Sequence, residues 1–446
     1  MSKFKFIIKR SGTKVPFKKN RIMNAIYRAA VSVGGRDKDK AEFLADKVIE
    51  LMNESFEDNY IPNIEEIQDL VEKVLIENGH AKVAKEFILY REERTKKRKA
   101  DAKSASKPNQ NVPWAKMWRV LNWANDHNLS TIEKYNARVK NNEFPHIVHE
   151  SEAAYEDDLD TAAKMILEKG SKIKMVFVSG PSSSGKTTTT IKLEDRLKKE
   201  GLHFSTLNVD HYFFDLEEHP KDEFGDYDFE TPQALDLELI NKHLQQLIES
   251  KEIKIPYYDF KEGKRYLDRT PMKLKGNEII LIDSLHGLYP EFAKNIDSEI
   301  KFKIYIEPIL QMKDENNKFI QWTDIRLMRR MLRDSVHRSY NPLQTLKHWH
   351  YVRASELRNI IPYANKAEFI INSAMPYELS LYKPRLFEQF IEWEKTFKDD
   401  PLKTDAYERA ARISNFLDKI EPIEDDSPVP NNSVLREFIG GSIFDY

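Results

Sequence analysis

The sequence predicts an α/β protein, a parallel sheet flanked by helices, behind a small and mainly helical N-terminal domain. Three observations lead there. Short apolar runs at Met175–Val178, Phe204–Val209, Ile279–Ile282, Phe302–Ile306 and Phe369–Ile371 are separated by helical stretches, the pattern of parallel strands buried on both faces. A glycine-rich turn joins the first run to a helix-forming stretch, Thr188–Lys199. Residues 1–95 read differently, with two strand-like runs, Phe4–Lys9 and Thr13–Phe17, around Ser11-Gly12, then four helical patterns.

The clearest of these helices opens at Asn63, with Glu66 three positions on as a capping box. Its apolar stripe is Ile67, Val71, Val74 and Leu75, and Gly79 is placed to stop it. Residues 96–112 are polar and without pattern, and form the linker. Residues 171–395 read as the sheet domain, 113–170 as helices packed on it, and 396–446 as a helical tail docked on it.

Composition narrows the function. The 446 residues carry 71 basic against 73 acidic side chains, a balance that points to neither nucleic acid nor membrane. The N-terminus is charged at once, no run approaches the roughly 18 apolar residues of a membrane span, and a cytoplasmic protein is expected. Cysteine is absent, which excludes disulfides, cysteine-held zinc and thiol chemistry in this chain. His348 and His350 flank Trp349, but without nearby acids they suggest no metal site.

The glycine-rich turn carries the chemistry. Gly180-Pro-Ser182-Ser183-Ser184-Gly185-Lys186-Thr187 fits G-x-x-x-x-G-K-[ST] between a strand and a helix. Backbone N–H groups there, up to Thr188, can turn around phosphate oxygens at a helix N-terminus. Lys186 would reach the outer phosphates of ATP, and the Thr187 hydroxyl would ligate Mg²⁺. Asp210 ends the second strand region at the carboxyl edge of the sheet, where it could take a proton from an attacking hydroxyl or help hold Mg²⁺. Asp283 closes a Walker B-like strand and is aimed at the metal or its waters. Farther on, Arg326, Arg329, Arg330 and Arg333 recur at i, i+3, i+4 and i+7, one helix face, with Leu327, Met328, Met331 and Leu332 on another. Four guanidiniums on one stripe need an anion or acids opposite. A mobile lid over a moving phosphoryl group and a salt-bridged surface helix are both consistent with the spacing.

From Val176 onward the chain resembles the uridine kinase and phosphoribulokinase family of P-loop kinases. The likeness rests on GPSSSGKTT (180–188), NVDHYF (208–213), YDFETPQALD (227–236), PYYDF (256–260) with Arg265, TDIRLMRRMLRD (323–334) and AEFIINSA (367–374). The long bacterial uridine kinase-like type also carries segments like Thr345–Trp349 and VPNNSVLREFIGGS (429–442). The resemblance implies transfer of the γ-phosphoryl of ATP to the 5'-hydroxyl of a nucleoside. Asp210 would be the general base, assisted by Lys186, Arg330 and Arg333. Arg329 and Arg338 would join the loop in holding the donor, and Tyr212, Glu230, Tyr258 and Arg265 would contact the acceptor. Thr187, Asp210 and Asp283 would serve the metal. The chain departs from the family at Asp283-Ser284, where Glu-Gly is usual, at Gly263, near a hairpin histidine of nucleoside-specific members, and at Ser339, a lid glycine elsewhere. Leu285–Pro290 is more like the phosphoribulokinase branch, so a sugar-phosphate acceptor stays open, as does a non-catalytic nucleotide sensor.

The N-terminal region resembles the ATP-cone, a regulatory domain, through Ile8–Gly12, Val15–Phe17, Arg21-Ile22, Ile61–Val71 and His80–Arg91. That likeness implies that Lys9, Arg10, Arg21, Ile22 and Arg91, with Arg94 as a helper, bind an effector of ATP or dATP type. It also implies a homo-oligomer.

Overall fold

The computed structural model describes residues 3–8, 14–57, 60–91, 112–220, 230–276, 278–337, 341–400 and 403–444. They fall into two compact units, one from the described part of Met1–Asn109 with Thr396–Asp405, the other from Gln110–Lys395 with Ala406–Tyr446.

The first unit opens with β1 (Phe6–Ile8) paired antiparallel to β2 (Lys14–Pro16). Helices α1 (Lys19–Ser32), α2 (Lys38–Ser55) and α3 (Ile64–Glu77) come next, then α4 over 81–91. Ile26, Leu44, Val48, Met52 and the expected α3 stripe of Ile67, Val71, Val74 and Leu75 close one apolar core. The capping box forms: Asn63 Oδ1 accepts from the Glu65 and Glu66 N–H groups at 2.9 and 3.0 Å, and Glu66 accepts from the Asn63 N–H at 2.8 Å. The linker expected at 96–112 lies outside the described residues except for Val112.

In the second unit, α5 (Trp114–Asp126), α6 (Ile132–Lys140) and α7 (Phe144–Lys169) precede β3 (Met175–Ser179). Then come α8 (Lys186–Lys199), β4 (Phe204–Asn208), α9 (Leu237–Ile248), the hairpin β5 (Ile253–Asp259) and β6 (Lys264–Met272), β7 (Ile279–Ser284) and β8 (Lys301–Glu307). The remainder is α10 (Trp322–His337), α11 (Pro342–Asn359), β9 (Phe369–Asn372), α12 (Glu378–Phe397), α13 (Thr404–Lys419) and α14 (Arg436–Ile439).

All five expected runs enter one parallel sheet of order β4-β7-β3-β8-β9. Met175, Phe177, Leu207, Ile280 and Ile282 meet Ile240, Leu244 and Leu247 of α9 in one core. Val176, Val178 and Leu281, on the alternate positions, are buried as well, so both faces are covered, as an all-parallel sheet requires. The 113–170 stretch packs as expected: Tyr155 of α7 shares a hydrogen bond of 2.6 Å with Thr189 of α8, and Asp158 accepts from the Asn372 N–H at 2.8 Å. Among the described residues, no helix is long and apolar enough to cross a membrane.

One buried pair fastens α10 to α12. Arg329 and Glu378 have fully buried side chains, and Arg329 Nε donates to Glu378 at 2.7 Å. Replacing Glu378 by Ala strands that guanidinium, so unfolding free energy should fall by about 3–5 kcal/mol in a urea titration. A loss below ~1 kcal/mol would show that the pair does not hold the helix.

Candidate functional site

Register places the expected acids. Val178 of β3 and Asn208 of β4 both pair with Asp283 of β7, so Asp283 and Asp210 flank the turn that leaves β3. In that turn Gly180 has no room for a side chain, because a Cβ there would lie 2.3 Å from the Ile306 carbonyl oxygen. Ser183 and Gly185 take positive φ, 59° and 88°, which curls successive N–H groups inward as an anion nest. Arg326 donates to the Ser182 carbonyl at 3.1 Å and Ser373 to the Ser184 carbonyl at 2.5 Å, so the loop is braced from behind. The Ser183 and Ser184 hydroxyls are buried and without a partner among the described residues. With the nest, they suit phosphate oxygens.

Lys186 donates to the Pro181 carbonyl at 3.2 Å. Burial lowers its pKa, Asp283 and Glu437 oppose that, and the net shift is downward. Burial pushes Asp283 up to about 6, against the pull of Lys186. Thr187, Asp210 and Asp283 offer only hard oxygen donors, the set Mg²⁺ takes when substrate phosphates complete its shell. Among the described residues no three His, Cys, Asp or Glu side chains gather into a metal site on their own.

The arginine stripe splits between the two readings that its spacing left open, and Arg329 is a first correction. Arg326 is fully buried, bonded to Glu356 at 2.5 and 2.8 Å, with its Nε 2.9 Å from Glu307. Burial alone would raise the Glu356 carboxyl, but Arg326 outweighs it and leaves Glu356 below its ordinary value. Arg329, expected on the donor, spends its guanidinium on Glu378 and the Ser373 carbonyl instead. Arg330 and Arg333 are only partly buried. Arg330 donates to the Ser182 hydroxyl at 3.3 Å and to Glu230 at 3.1 Å, and so stands between the loop and the expected acceptor carboxylate. Arg333 is close enough to Lys186 to depress it. Arg338 lies outside the described residues.

On the acceptor side, Tyr212 is a second correction. It is fully buried in the α9 core and its hydroxyl shares a bond of 2.8 Å with His243, so it faces packing rather than an acceptor. Tyr258 sits among Phe213, His219 and Phe260, and its buried hydroxyl has no partner among the described residues. Its N–H reaches His211, beside Asp210, at 3.4 Å. Arg265 is paired with Asp236 at 2.7 Å and lies over the Phe214 ring, which ties the hairpin down.

In the cone-like unit, Arg21 is exposed and Ile22 is part of the apolar core. Arg91 is the third correction of this kind. It pairs with Glu65, Asp69 and Glu72 at 2.6–2.7 Å, so it clamps α4 to α3 with its charge already matched. Lys9, Arg10 and Arg94 lie outside the described residues.

Two family models match separate parts of this chain. The model of the phosphoribulokinase/uridine kinase family matches residues 175–379, and the ATP cone domain model matches 5–96. Uridine kinase from Borrelia duttonii is 30% identical over 211 residues, covering 47% of this chain and 91% of that one. This chain belongs to the phosphoribulokinase/uridine kinase family. Uridine kinase from Deinococcus deserti is 27% identical over 44% of this chain and 86% of its own length. A vitamin B12-dependent ribonucleoside-diphosphate reductase from Thermoplasma acidophilum is 46% identical over 95 residues, 20% of this chain and 12% of that one. Among solved structures, "Structure of a Possible Uridine Kinase from Bacillus stearothermophilus" aligns at 16% identity and a TM-score of 0.34, over 49% of this chain and 98% of that one.

Two residues beside the kinase loop escaped the sequence reading. Glu437 reaches Thr188 from the C-terminal tail. His286, just past β7, is buried, and neither ring nitrogen has a hydrogen-bond partner among the described residues; the Glu230 carbonyl approaches without hydrogen-bond geometry. The Leu285–Pro290 segment was the sequence signal near His286, and Glu437 lies in the 429–442 segment, whose pattern gives no hint of a contact with the loop. Burial pushes His286 down to about 3, with Lys186 adding to the effect. An unfolded chain takes up this proton near pH ~6.5 while the folded one does not, so stability is present above that value and lost as pH falls below it. Between pH 7 and 5 this one group should remove about 2 kcal/mol, and His286→Gln should reduce the acid loss by that amount. Equal losses in both proteins, by denaturant titration at the two pH values, would refute the assignment.

Proposed function

We infer that this chain is an ATP-dependent kinase that phosphorylates the 5'-hydroxyl of a nucleoside, with a cone domain that senses adenine nucleotide. The observation that carries the reading is Arg330, bonded at once to the Ser182 hydroxyl of the phosphate loop and to Glu230. A guanidinium in that place can neutralise charge on a phosphoryl group while it passes from a donor in the loop to a hydroxyl held at Glu230.

Each residue then has a role. The loop N–H groups and the Ser183 and Ser184 hydroxyls hold donor phosphates, with Lys186 on the outer ones. Mg²⁺, held by Thr187 and the Asp210–Asp283 edge, would neutralise charge on the outer phosphates. Asp210, exposed at the carboxyl edge of β4, takes the proton of the attacking hydroxyl. Glu230 accepts hydrogen bonds from neighbouring ribose hydroxyls, and the Tyr258 hydroxyl is available to the base or sugar. A carboxylate at Glu230 favours a neutral polyol over a phosphorylated acceptor, which would face a like charge. The domain plan of cone, linker and kinase with a docked tail, a homo-oligomeric state and a cytoplasmic location belong to the same proposal.

The test is a product-resolved screen with Mg-ATP against ribonucleosides, deoxyribonucleosides, ribulose 5-phosphate and simple sugars. A nucleoside 5'-monophosphate should appear with wild type. Asp210→Asn should lower kcat by at least ~100-fold, the scale of general-base catalysis. A product only from ribulose 5-phosphate would replace the nucleoside with a sugar phosphate. No product from any acceptor, with equal ADP release from both proteins, would overturn the kinase reading.

A further inference from the structure

The C-terminal tail puts a carboxylate into the phosphate cradle. Glu437 Oε2 accepts from the Thr188 hydroxyl at 2.8 Å and from the Thr188 backbone N–H at 3.3 Å. Thr188 is the third residue of α8, two beyond the loop lysine, and its N–H is one of the donors that a helix N-terminus leaves for an anion. Lys186 reaches toward the outer phosphates of a nucleotide in such a loop, so the N–H farther along the helix start is left for the phosphate nearest the nucleoside. Glu437 therefore occupies, with its own negative charge, the donor pair that an inner phosphate would use.

The tail that delivers it is fastened in place. Val434, Leu435 and Phe438 are fully buried, and Val434 lines the loop so closely that a Cβ on Gly185 would lie 2.5 Å from its Cγ2. The Asn432 carbonyl accepts from Lys192 of α8 at 2.9 Å, and Arg436 donates to the Asp426 and Val429 carbonyls at 2.8 Å each. Expelling the segment would expose all three apolar side chains at once. Turning one glutamate side chain is far easier. Other charged groups that bear on the same loop are Lys186, Asp283, Asp210, Arg326, Arg330, Arg333 and Glu230.

We propose that Glu437 sets the affinity of the donor site as a built-in competitor that a nucleotide must turn aside before its inner phosphate can reach Thr188. The tail backbone stays docked while this happens. The consequence is a weakened affinity for every nucleotide that enters the loop. This rests on the kinase reading above only in that the loop is a nucleotide site; it does not depend on the acceptor.

The experiment is calorimetric titration of the full-length protein with ADP, in wild type, Glu437→Gln and Glu437→Asp, each repeated in a Lys186→Ala background. Binding that disappears with Lys186→Ala belongs to the loop, and only that part is compared between variants. Glu437→Gln keeps shape and loses charge, so loop affinity for ADP should rise about tenfold or more, equivalent to ~1.4 kcal/mol. Glu437→Asp keeps the charge but draws it back by one methylene, and should give a smaller gain. In the phosphorylation assay the KM for ATP should fall by more than kcat changes. Unchanged or weaker loop binding of ADP in Glu437→Gln, with lowered thermal stability, would make Glu437 a structural cap of α8 and overturn the proposal. Because ADP binding needs no acceptor, failure of the nucleoside screen would leave this result standing.

Discussion

Arg326 and Arg329 lie wholly out of water, and the architecture around the phosphate loop is arranged to neutralise them. Glu307 at the end of β8, Glu356 in α11 and Glu378 at the start of α12 supply the opposing charges. Each arginine also donates to a backbone carbonyl of the site wall, Ser182 for Arg326 and Ser373 for Arg329. A buried guanidinium left without such partners would be too costly to keep, so α10 is held in a single orientation against the loop. Hydrophobic burial of Ile325, Leu327, Met328 and Met331 along the same helix works in the same direction.

That fastening decides what the other two arginines can do. With two of four guanidiniums committed to structure, Arg330 and Arg333 project from a fixed base toward Ser182, Glu230 and Lys186. Charge stabilisation by groups already in position needs no reorganisation as the phosphoryl group moves. The same economy of parts appears at the sheet edge, where the pairing of β4, β7 and β3 alone brings Asp210 and Asp283 to the loop. The tail completes the wall from the opposite end of the chain, and its Glu437 gives the cradle an anion of its own.

Legibility from sequence followed the range of the interactions. The five strands, the loop and the Asn63 capping box are written in neighbouring residues, and each appears where its local pattern put it. The i, i+3, i+4, i+7 spacing of the arginines correctly put them on one helix, but whether a guanidinium meets phosphate or carboxylate depends on Glu307, Glu356 and Glu378. Those acids lie on three other elements, and only the fold brings them in. Tyr212 failed for a related reason: motif position suggested the acceptor, while His243 of α9 drew its hydroxyl into the core. For Arg91 the cone resemblance implies a place at the effector, while the α3 acids that match its charge are brought beside it only by the packing of α4 on α3. Glu437 contacts a residue 249 positions away, so the likeness of 429–442 could mark its segment but not its partner.

Within one helix, Arg326 and Arg329 serve the fold, while the proposed kinase activity assigns Arg330 and Arg333 to the transferred phosphoryl group. A crystal structure of the full chain with ADP and Mg²⁺ tests this division most directly. Arg330 and Arg333 should approach the nucleotide phosphates held by residues 180–188, while Arg326 and Arg329 keep their bonds to Glu356 and Glu378. Release of Arg326 or Arg329 from those acids onto a phosphate, or a nucleotide bound away from the loop, would contradict the account.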